Sequence, residues 1–540
     1  MKKPGSVLAV LLCTGTAFAQ GRGGGGTWTT ANFDAQRTSW VRSDARISPD
    51  SVKTNFRFLW KFQVQNESRQ LNSLTQPVML GGLHSYTGLV TMLVMGASSG
   101  TAYAVEADLG RLEWKHAFGA TPPAPASLAC PGGVTSGLTR QVSLAAAPPA
   151  GRGGAPGGRG GRAGGAVGQP DQGAPNIGQA GGGRGGSGGR GGRGPAPAVA
   201  PEDGAAPPVG RGRGGGVNLG ATDAFYSVAG DGTVHALNVQ DGSDLAPPVK
   251  FLPPNANASG LMLFDRVLYA ATTNNCGGAA NGLWAIDLAS PDQAVTTWKT
   301  NGGGIAGTVG AAAGTDGTLY LATTDGDVVA LAPKTLAMKG SFTPGKTPFT
   351  ASPVVFPDNG KDWIVAANQD GRLYLLDSTA LHTAAYVTPK ISNSASDFTA
   401  GALATWQDAE GTRWVLAPVE GAIAAFRVVT QNGKPTLQSA WTSRELISPA
   451  PPMIVNGVVF ALATGEFHSG DPTLTAAQRA QRSTPAILYA LDAATGKELW
   501  NSGKTITSFV HSGGLSSGNS QVYVSTYDNT LYTFGIPLEH

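Results

Sequence analysis

Apolar and polar positions alternate along most of this chain, in short runs separated by tight polar turns. Residues 488–500, LYALDAATGKELW, show the unit: an alternating strand, an Asp, a Thr-Gly turn and a second strand that ends in Trp. Alternation with a period of two is typical of half-buried β-strands, and Gly, Asn and Asp are typical of turns. The pattern therefore predicts β-hairpins over nearly the whole length.

This unit recurs eight times, with four short strands in each copy. The third strands begin at Thr101, Gly232, Gly282, Gly326, Gly371, Gly421, Ile487 and Asn529. The first strands begin near Thr75, Thr135, Ala258, Ala306, Thr350, Thr399, Ser448 and His511, mostly 44 to 63 residues apart once one Gly/Arg-rich insert is set aside. Four-stranded repeats at this period predict a β-propeller.

The two ends of the repeat array predict how the ring closes. The eighth unit stops after its third strand, and residues 55–64, NFRFLWKFQV, form a strand without a repeat of its own. Pairing these two strands would leave no open edge. We therefore predict an all-β fold over residues 55–540. It is an eight-bladed propeller of four-stranded antiparallel blades, whose last blade is completed by the N-terminal strand, and residues 20–54 precede it as an N-terminal segment.

Residues 1–19 have the pattern of a cleavable signal peptide. Lys2 and Lys3 precede an apolar run at 7–13, and Ala-Phe-Ala stands at 17–19. That run is too short to span a bilayer, and no later segment replaces it. The sequence predicts a periplasmic or secreted protein without a transmembrane segment.

Residues 145–216 are a Gly/Arg-rich insert in blade two. The insert holds eight Arg and three acidic residues, so the chain's net charge of +3 comes from it. A segment with so little apolar surface is predicted to be disordered. Arg-Gly runs suit polyanions, but export and the lack of interleaved aromatic residues argue against nucleic acid as a partner. A solvated spacer, or loose adhesion to an anionic polymer of the cell surface, is the favoured interpretation.

Two cysteines remain after signal cleavage, Cys130 and Cys276. They can form one disulfide in an oxidising compartment or stay as two free thiols. No C-x-x-C-H motif occurs, which argues against haem.

The repeat resembles a known family. Residues 490–500, ALDAATGKELW, resemble the docking motif of the propellers that include the pyrroloquinoline-quinone (PQQ) dehydrogenases, and residues 104–114, AVEADLGRLEW, are a weaker copy. Trp298 and Trp441 hold the same slot. The resemblance covers nearly the whole mature chain outside the insert, and it implies that these Trp side chains pack between neighbouring blades. The motif is specific for the fold but is shared by catalytic and non-catalytic members.

The resemblance implies a quinoprotein-type dehydrogenase that oxidises an alcohol or sugar with PQQ and Ca²⁺ and passes electrons to a separate acceptor. Its site would lie near the axis on the face formed by the loops after the second and fourth strands, here called the first face. Asp397 is the candidate general base. The candidate cofactor contacts are Gln76, Arg140, Asn275, Thr399, Arg444 and His511. The calcium ligands are unknown, although Glu466, His468 and Asp471 could form a small metal site.

Each of these residues also has an ordinary structural interpretation. Asp397 could cap its loop, the two Arg could be solvated, and Asn275 could serve a turn through its backbone. His235, within a strand, is interpreted as structural. The chain also lacks the adjacent cysteine pair often found in the family's dehydrogenases. The alternative function is a non-catalytic scaffold that binds a protein or polysaccharide of the cell envelope, and this alternative predicts an axis filled by side chains. Whether the protein is an enzyme is left open.

Overall fold

The computed structural model describes residues 28–85, 88–123, 126–144, 224–391, 400–511 and 513–537. The predicted signal peptide and the predicted insert lie outside these residues.

Eight antiparallel blades form the ring, as predicted. From the inner to the outer strand, blade one consists of Val78–Ser85, Gly88–Ala97, Thr101–Glu106 and Leu112–Ala117. Blade three consists of Asn257–Phe264, Val267–Thr273, Gly282–Asp287 and Val295–Lys299. Blade four consists of Ala312–Ala313, Leu319–Ala322, Val328–Leu331 and Met338–Phe342. Blade five holds Val354–Asp358, Lys361–Ala367, Leu373–Asp377 and Ala384–Val387, blade six Ala404–Gln407, Arg413–Val419, Ala422–Gln431 and Lys434–Thr442, and blade seven Met453–Val455, Val458–Ala463, Ile487–Asp492 and Glu498–Asn501.

Blade two departs from the regular pattern at its inner strand. Its outer three strands are Ala224–Val228, Thr233–Asn238 and Val249–Lys250. The predicted inner strand is reduced to a bridge between Thr139 and Tyr226. Two residues further on, Gln141 pairs in parallel with Leu263 of blade three. The residues on both sides of the predicted insert thus belong to one blade.

Blade eight confirms the predicted closure. Leu515–Gly518, Gln521–Ser525 and Thr530–Gly535 form its first three strands, and the N-terminal strand Arg57–Gln63 pairs antiparallel with the third. The third strand of blade eight, which would otherwise be an open edge, is therefore paired with the N-terminal strand.

Asn-Gly pairs make several of the tight hairpins. Between the first two strands of blade seven, Asn456 and Gly457 have φ of 44° and 78°. Two consecutive left-handed residues are what a type I′ hairpin requires, and Asn and Gly adopt that conformation at the least cost. The local sequence therefore fixes the strand register at these turns.

Tryptophan side chains dock one blade onto the next. The indole N–H groups of Trp60, Trp114 and Trp441 donate to the carbonyls of Ala107, Val239 and Ala493 at 2.9, 3.1 and 3.0 Å. Each indole also covers the left-handed glycine of the neighbouring Thr-Gly-type turn; a Cβ built on Gly496 would lie 2.5 Å from the Trp441 ring. For Trp114 and Trp441, this confirms the packing between neighbouring blades that the resemblance implied.

A few elements lie outside the blades. Two short helices span Pro49–Asn55 and Ala476–Arg482, and a 3₁₀ turn spans Cys276–Gly278. Trp40–Val41 pairs in parallel with Met453–Val455, the inner strand of blade seven, and so adds a fifth strand on its axis side. Ala351–Ser352 pairs in parallel with Gly401–Ala402. In the part of the chain that the structure describes, no helix has the length and apolar character needed to cross a bilayer.

Candidate functional site

The N-terminal segment, residues 28–44, runs around the inside of the ring and contacts all eight blades in chain order. Hydrogen bonds of 2.5 to 3.0 Å join it to each blade. From blade one to blade eight the bonded pairs are Trp28 with Met79, Thr29 with Arg140, Thr30 with Leu261, Ala35 with Ala313, Gln36 with Val355, Thr38 with Thr405, Ser39 with Ile454, and Asp44 with Ser520. Most of these bonds run from an inner-strand amide to a carbonyl of the segment. The segment thus uses the backbone groups that inner strands present toward the axis.

Within this segment, Asn32 extends from the ring of inner strands toward the axis. Its backbone amide donates to Oε1 of Gln76 in blade one at 3.4 Å, and its side-chain amide donates to the carbonyl of Leu403 in blade six at 3.2 Å. Blades one and six are separated by two blades in one direction and by four in the other. A single buried residue that bonds to both blades lies near the centre of the ring.

Arg37 is fully buried beside Asn32. Its guanidinium donates to the carbonyls of Ala311, Gly260 and Ala31 at 2.8, 2.8 and 2.7 Å and to the Thr30 hydroxyl at 3.0 Å. Burial lowers the pKa of Arg37 to about 9, so the side chain still carries its charge at neutral pH. These bonds offset the cost of removing the charge from water.

Asp34 supplies the compensating negative charge in the same segment. It accepts from the backbone amide and hydroxyl of Thr38 at 2.9 and 2.7 Å. Burial raises the pKa of Asp34, although the Thr38 bonds and the nearby Arg42 and Arg37 act in the opposite direction. The charged groups of this segment are thus bonded within the segment and, through Arg37, to blades three and four.

Two predicted cofactor contacts, Gln76 and Arg140, lie next to this segment. The Gln76 side chain is held by Asn32 and by the carbonyl of Leu515 in blade eight. The Arg140 guanidinium lies over the ring of Phe225, 5.7 Å from its centroid, and Phe225 in turn packs against Trp114. Arg140 therefore contacts the seam between blades one and two.

Asn275 stands in an exposed turn of blade three. Its φ is 51°, its amide donates to Oδ1 of Asn281 at 2.8 Å, and its own Oδ1 accepts from the Asn281 amide at 3.3 Å. This is the backbone role that the sequence offered as the alternative. The neighbouring Cys276 forms a disulfide with Cys130, with Cα atoms 5.4 Å apart. That bond ties the first-face loops of blades two and three together.

Arg444 lies at the outer rim of the ring, just after the outer strand of blade six. It forms an ion pair with Glu498 of blade seven at 2.5 Å, and its guanidinium lies 4.8 Å from the Tyr489 ring. The bond to Glu498 raises the pKa of Arg444. The predicted base Asp397 and the predicted contact Thr399 lie outside the described residues.

His511 is part of a small cluster on the first face between blades seven and eight. Its Nδ1 lies 2.7 Å from Oε1 of the buried Glu466, whose other oxygen lies 3.7 Å from Nε2 of His468. Asp471, the third member of the predicted metal set, instead accepts from the amide and hydroxyl of Thr473. The structure brings together Glu466 with two histidines and leaves Asp471 in its own turn.

The described members of the predicted cofactor set do not fit a PQQ site. Gln76 and Arg140 are engaged by the N-terminal segment and by Phe225, Asn275 holds a turn, and Arg444 is paired at the rim. A flat, anionic tricyclic group needs cationic partners that converge on one cavity. Of the two Arg in the set, Arg140 lies beside the axial segment and Arg444 lies at the rim. Asn32 and Arg37, which lie near the axis, were not among the predicted site residues. Their sequence signal is the stretch TWTTANFDAQRTSWV, residues 27–41, which resembles the N-terminal segment of the same family.

The comparisons with known proteins concern the fold. The quinohemoprotein alcohol dehydrogenase of Comamonas testosteroni is 13% identical, with a TM-score of 0.51, over 95% of this chain and 81% of that one. Quinohemoprotein alcohol dehydrogenase ADHIIG of Pseudomonas putida HK5 is 11% identical, with a TM-score of 0.52, over the same shares. The computationally designed protein Ika8 is 12% identical, with a TM-score of 0.50, over 89% of this chain and 100% of that one.

No protein-family profile matches the sequence, and a search of curated proteins finds no match. The chain has the eight-bladed fold of the PQQ-like propellers, as the docking motif predicted. Identities of 11 to 13% show this fold alone, and the same fold can serve unrelated functions.

Proposed function

We propose that this protein is an exported, non-catalytic propeller that binds a protein partner of the cell envelope through its first face. The observation that carries the proposal is the N-terminal segment at the axis. Asn32 and the fully buried Arg37 lie near the axis, with their side chains bonded to the surrounding blades. An axis filled by side chains is the outcome expected of a scaffold.

The first-face loops support a binding role because they are held in place before any partner arrives. The Cys130–Cys276 disulfide joins two of them. In the long loop of blade seven, Arg479 donates to the carbonyls of Ser469 and Asp471 at 2.8 and 3.0 Å, and Thr475 caps the helix Ala476–Arg482. Loops ordered in advance lose little conformational entropy on binding.

The exposed surface of these loops suits a protein. The helix Ala476–Arg482 has no buried residue, and Ala477, Gln478, Gln481 and Arg482 are exposed. Leu128 and Ile447, on two other first-face loops, are large apolar side chains that remain exposed. The helix also carries Arg479 and Arg482, and Arg is enriched in protein interfaces.

The enzymatic alternative is tested by reconstitution. Purified protein is incubated with PQQ and Ca²⁺, and quinone absorbance after desalting and dye reduction with alcohols and sugars are measured beside an apo quinohemoprotein alcohol dehydrogenase. We expect neither uptake nor reduction in this protein. Stoichiometric PQQ uptake with Ca²⁺-dependent dye reduction would overturn the proposal.

The binding role is tested by photo-crosslinking in cells that export the protein. A photoreactive amino acid replaces Leu128 or Ile447 on the first face. Met338, on an outer strand of blade four, serves as the control, since its exposure of 57% matches the 59% of Ile447. We expect a discrete protein adduct from the first-face positions and none from Met338. Equal labelling from all three positions would contradict a specific first-face partner.

A further inference from the structure

Three side chains with metal-binding groups meet at the outer part of the seam between blades one and two. His116 lies on the outer strand of blade one, His235 on the third strand of blade two, and Asp244 just beyond that strand, bridged to Leu237. One ligand atom from each lies within 4.8 Å of the others. Their side chains are 19, 6 and 25% exposed, so the cluster is shielded but reachable from solvent.

The spacing of these atoms matches the coordination sphere of a small divalent ion. His235 Nδ1 lies 3.0 and 3.2 Å from the two Asp244 oxygens, and His116 Nε2 lies 3.5 Å from Oδ2. Zn²⁺ binds His nitrogen and carboxylate oxygen at about 2.0–2.2 Å in tetrahedral geometry, which places neighbouring ligand atoms about 3.3 Å apart. The three side chains therefore need little movement to coordinate one ion.

The hydrogen bonds around His235 give a second, independent reason to place a cation here. The Thr233 hydroxyl donates to Asp231 at 2.7 Å, so toward His235 Nε2, 3.2 Å away, it offers only a lone pair. On the other side of the ring, Nδ1 faces the Asp244 carboxylate. Both ring nitrogens of His235 thus face hydrogen-bond acceptors.

A neutral imidazole has a single N–H and cannot satisfy both sides. If Nε2–H donates to Thr233, the lone pair of Nδ1 faces the Asp244 carboxylate, and the two repel each other. A cation bound between them would be coordinated by both and would remove this repulsion. The Thr233–Asp231 pair then orients the ligand from behind, as outer partners of metal-bound histidines commonly do.

We propose that His116, His235 and Asp244 form a Zn²⁺ site that fastens blade one to blade two. His116 Nε2, His235 Nδ1 and an Asp244 oxygen supply three ligands, and solvent supplies the fourth. Phe118, whose ring centroid lies 4.7 Å from that of His235, shields one side. The site is independent of the first face and of any cofactor at the axis.

The test uses full-length mature protein without a polyhistidine tag, stripped with a chelator and titrated with Zn²⁺ by calorimetry. Co²⁺ is titrated in parallel, because its visible absorption reports four-coordinate geometry. We expect one Zn²⁺ per chain, a tetrahedral Co²⁺ spectrum and a melting temperature that rises with Zn²⁺. Asp244→Asn should weaken binding by at least about 10-fold, since even outer partners of metal ligands contribute that much.

The matched control is His511→Gln, which alters the other His–carboxylate cluster of the described residues. It should leave Zn²⁺ affinity and the Co²⁺ spectrum unchanged, while His116→Gln should reduce both. Circular dichroism establishes that each variant is folded. Failure of the parent protein to bind Zn²⁺ at micromolar concentration would overturn the proposal, as would loss of binding in His511→Gln with Asp244→Asn unaffected.

Discussion

The seam between blades one and two and the seam between blades six and seven use the same docking device with different polar additions. In both, a Trp stacks on a left-handed glycine and donates to a carbonyl of the next blade. The first seam adds the shielded His116–His235–Asp244 cluster, and the second adds the exposed Arg444–Glu498 pair. The apolar contact thus carries the architecture, while the polar groups at the rim give each seam its own chemistry.

The largest effect is expected from removing the shared device. Trp114→Ala and Trp441→Ala should each lower the free energy of unfolding by about 3–5 kcal/mol, because a large buried ring is lost and a cavity is left. Urea denaturation measures both. A cost at one seam less than half that at the other would show that the two Trp contacts are not equivalent.

The glycines under the indole rings allow a finer comparison. Gly242→Ala and Gly496→Ala place a Cβ 2.4–2.5 Å from the ring of Trp114 or Trp441, and the added crowding should cost about 1–3 kcal/mol. Gly433→Ala is the control, since it has a similar positive φ of 73° but nothing within 4 Å. It should show only the left-handed strain of about 1–2 kcal/mol. Equal losses at all three glycines would mean that the indole stacking adds no constraint.

The pH dependence of stability should separate the two seams. Burial lowers the pKa of His235 below its unfolded value near 6.5, even though Asp244 and Asp231 raise it. Below about pH 6.5 the unfolded chain therefore binds a proton that the folded chain does not, and the free energy of unfolding falls as the pH falls. Chemical denaturation of chelator-treated protein from pH 7.5 to 5 should show this slope, and His235→Gln should flatten it. Arg444→Met should leave the slope as it is.

The smallest effect is expected at the Arg444–Glu498 pair. The two side chains are 50 and 29% exposed, and exposed ion pairs contribute at most about 1 kcal/mol. Glu498→Gln should change stability by no more than that, and 1 M NaCl should remove the difference between parent and variant. A larger or salt-independent loss would indicate that the pair does more than add surface charge.

The fold could be predicted from sequence because each of its determinants is local and repeated. Asn456-Gly457, the Asp492-to-Gly496 turn and the terminal Trp act within a few residues of themselves, and eight copies reinforce the pattern. The closing strand around Trp60 was predictable because an edge must find a partner. Blade two was the exception, since Gln141 pairs with a strand of the next blade.

The candidate site could not be predicted in the same way. Arg444 and Asn275 had suitable side chains, but their partners, Glu498 and Asn281, decided their roles. Arg37 carried no motif, although four acceptors from the segment itself and two blades surround it. His116 and Asp244 stand on opposite sides of the predicted Gly/Arg insert along the chain, so that only the blade geometry brings them together.

The path of the N-terminal segment has a consequence for the order in which the molecule is made. Residues 28–44 leave the ribosome before any blade does, yet their hydrogen-bond partners extend from Met79 to Ser520. Such distant pairings make folding slow and dependent on the whole chain. This segment, which precedes every blade in the chain, is therefore among the last parts to be fixed, and a chain cut short before blade eight would leave it without its final partner.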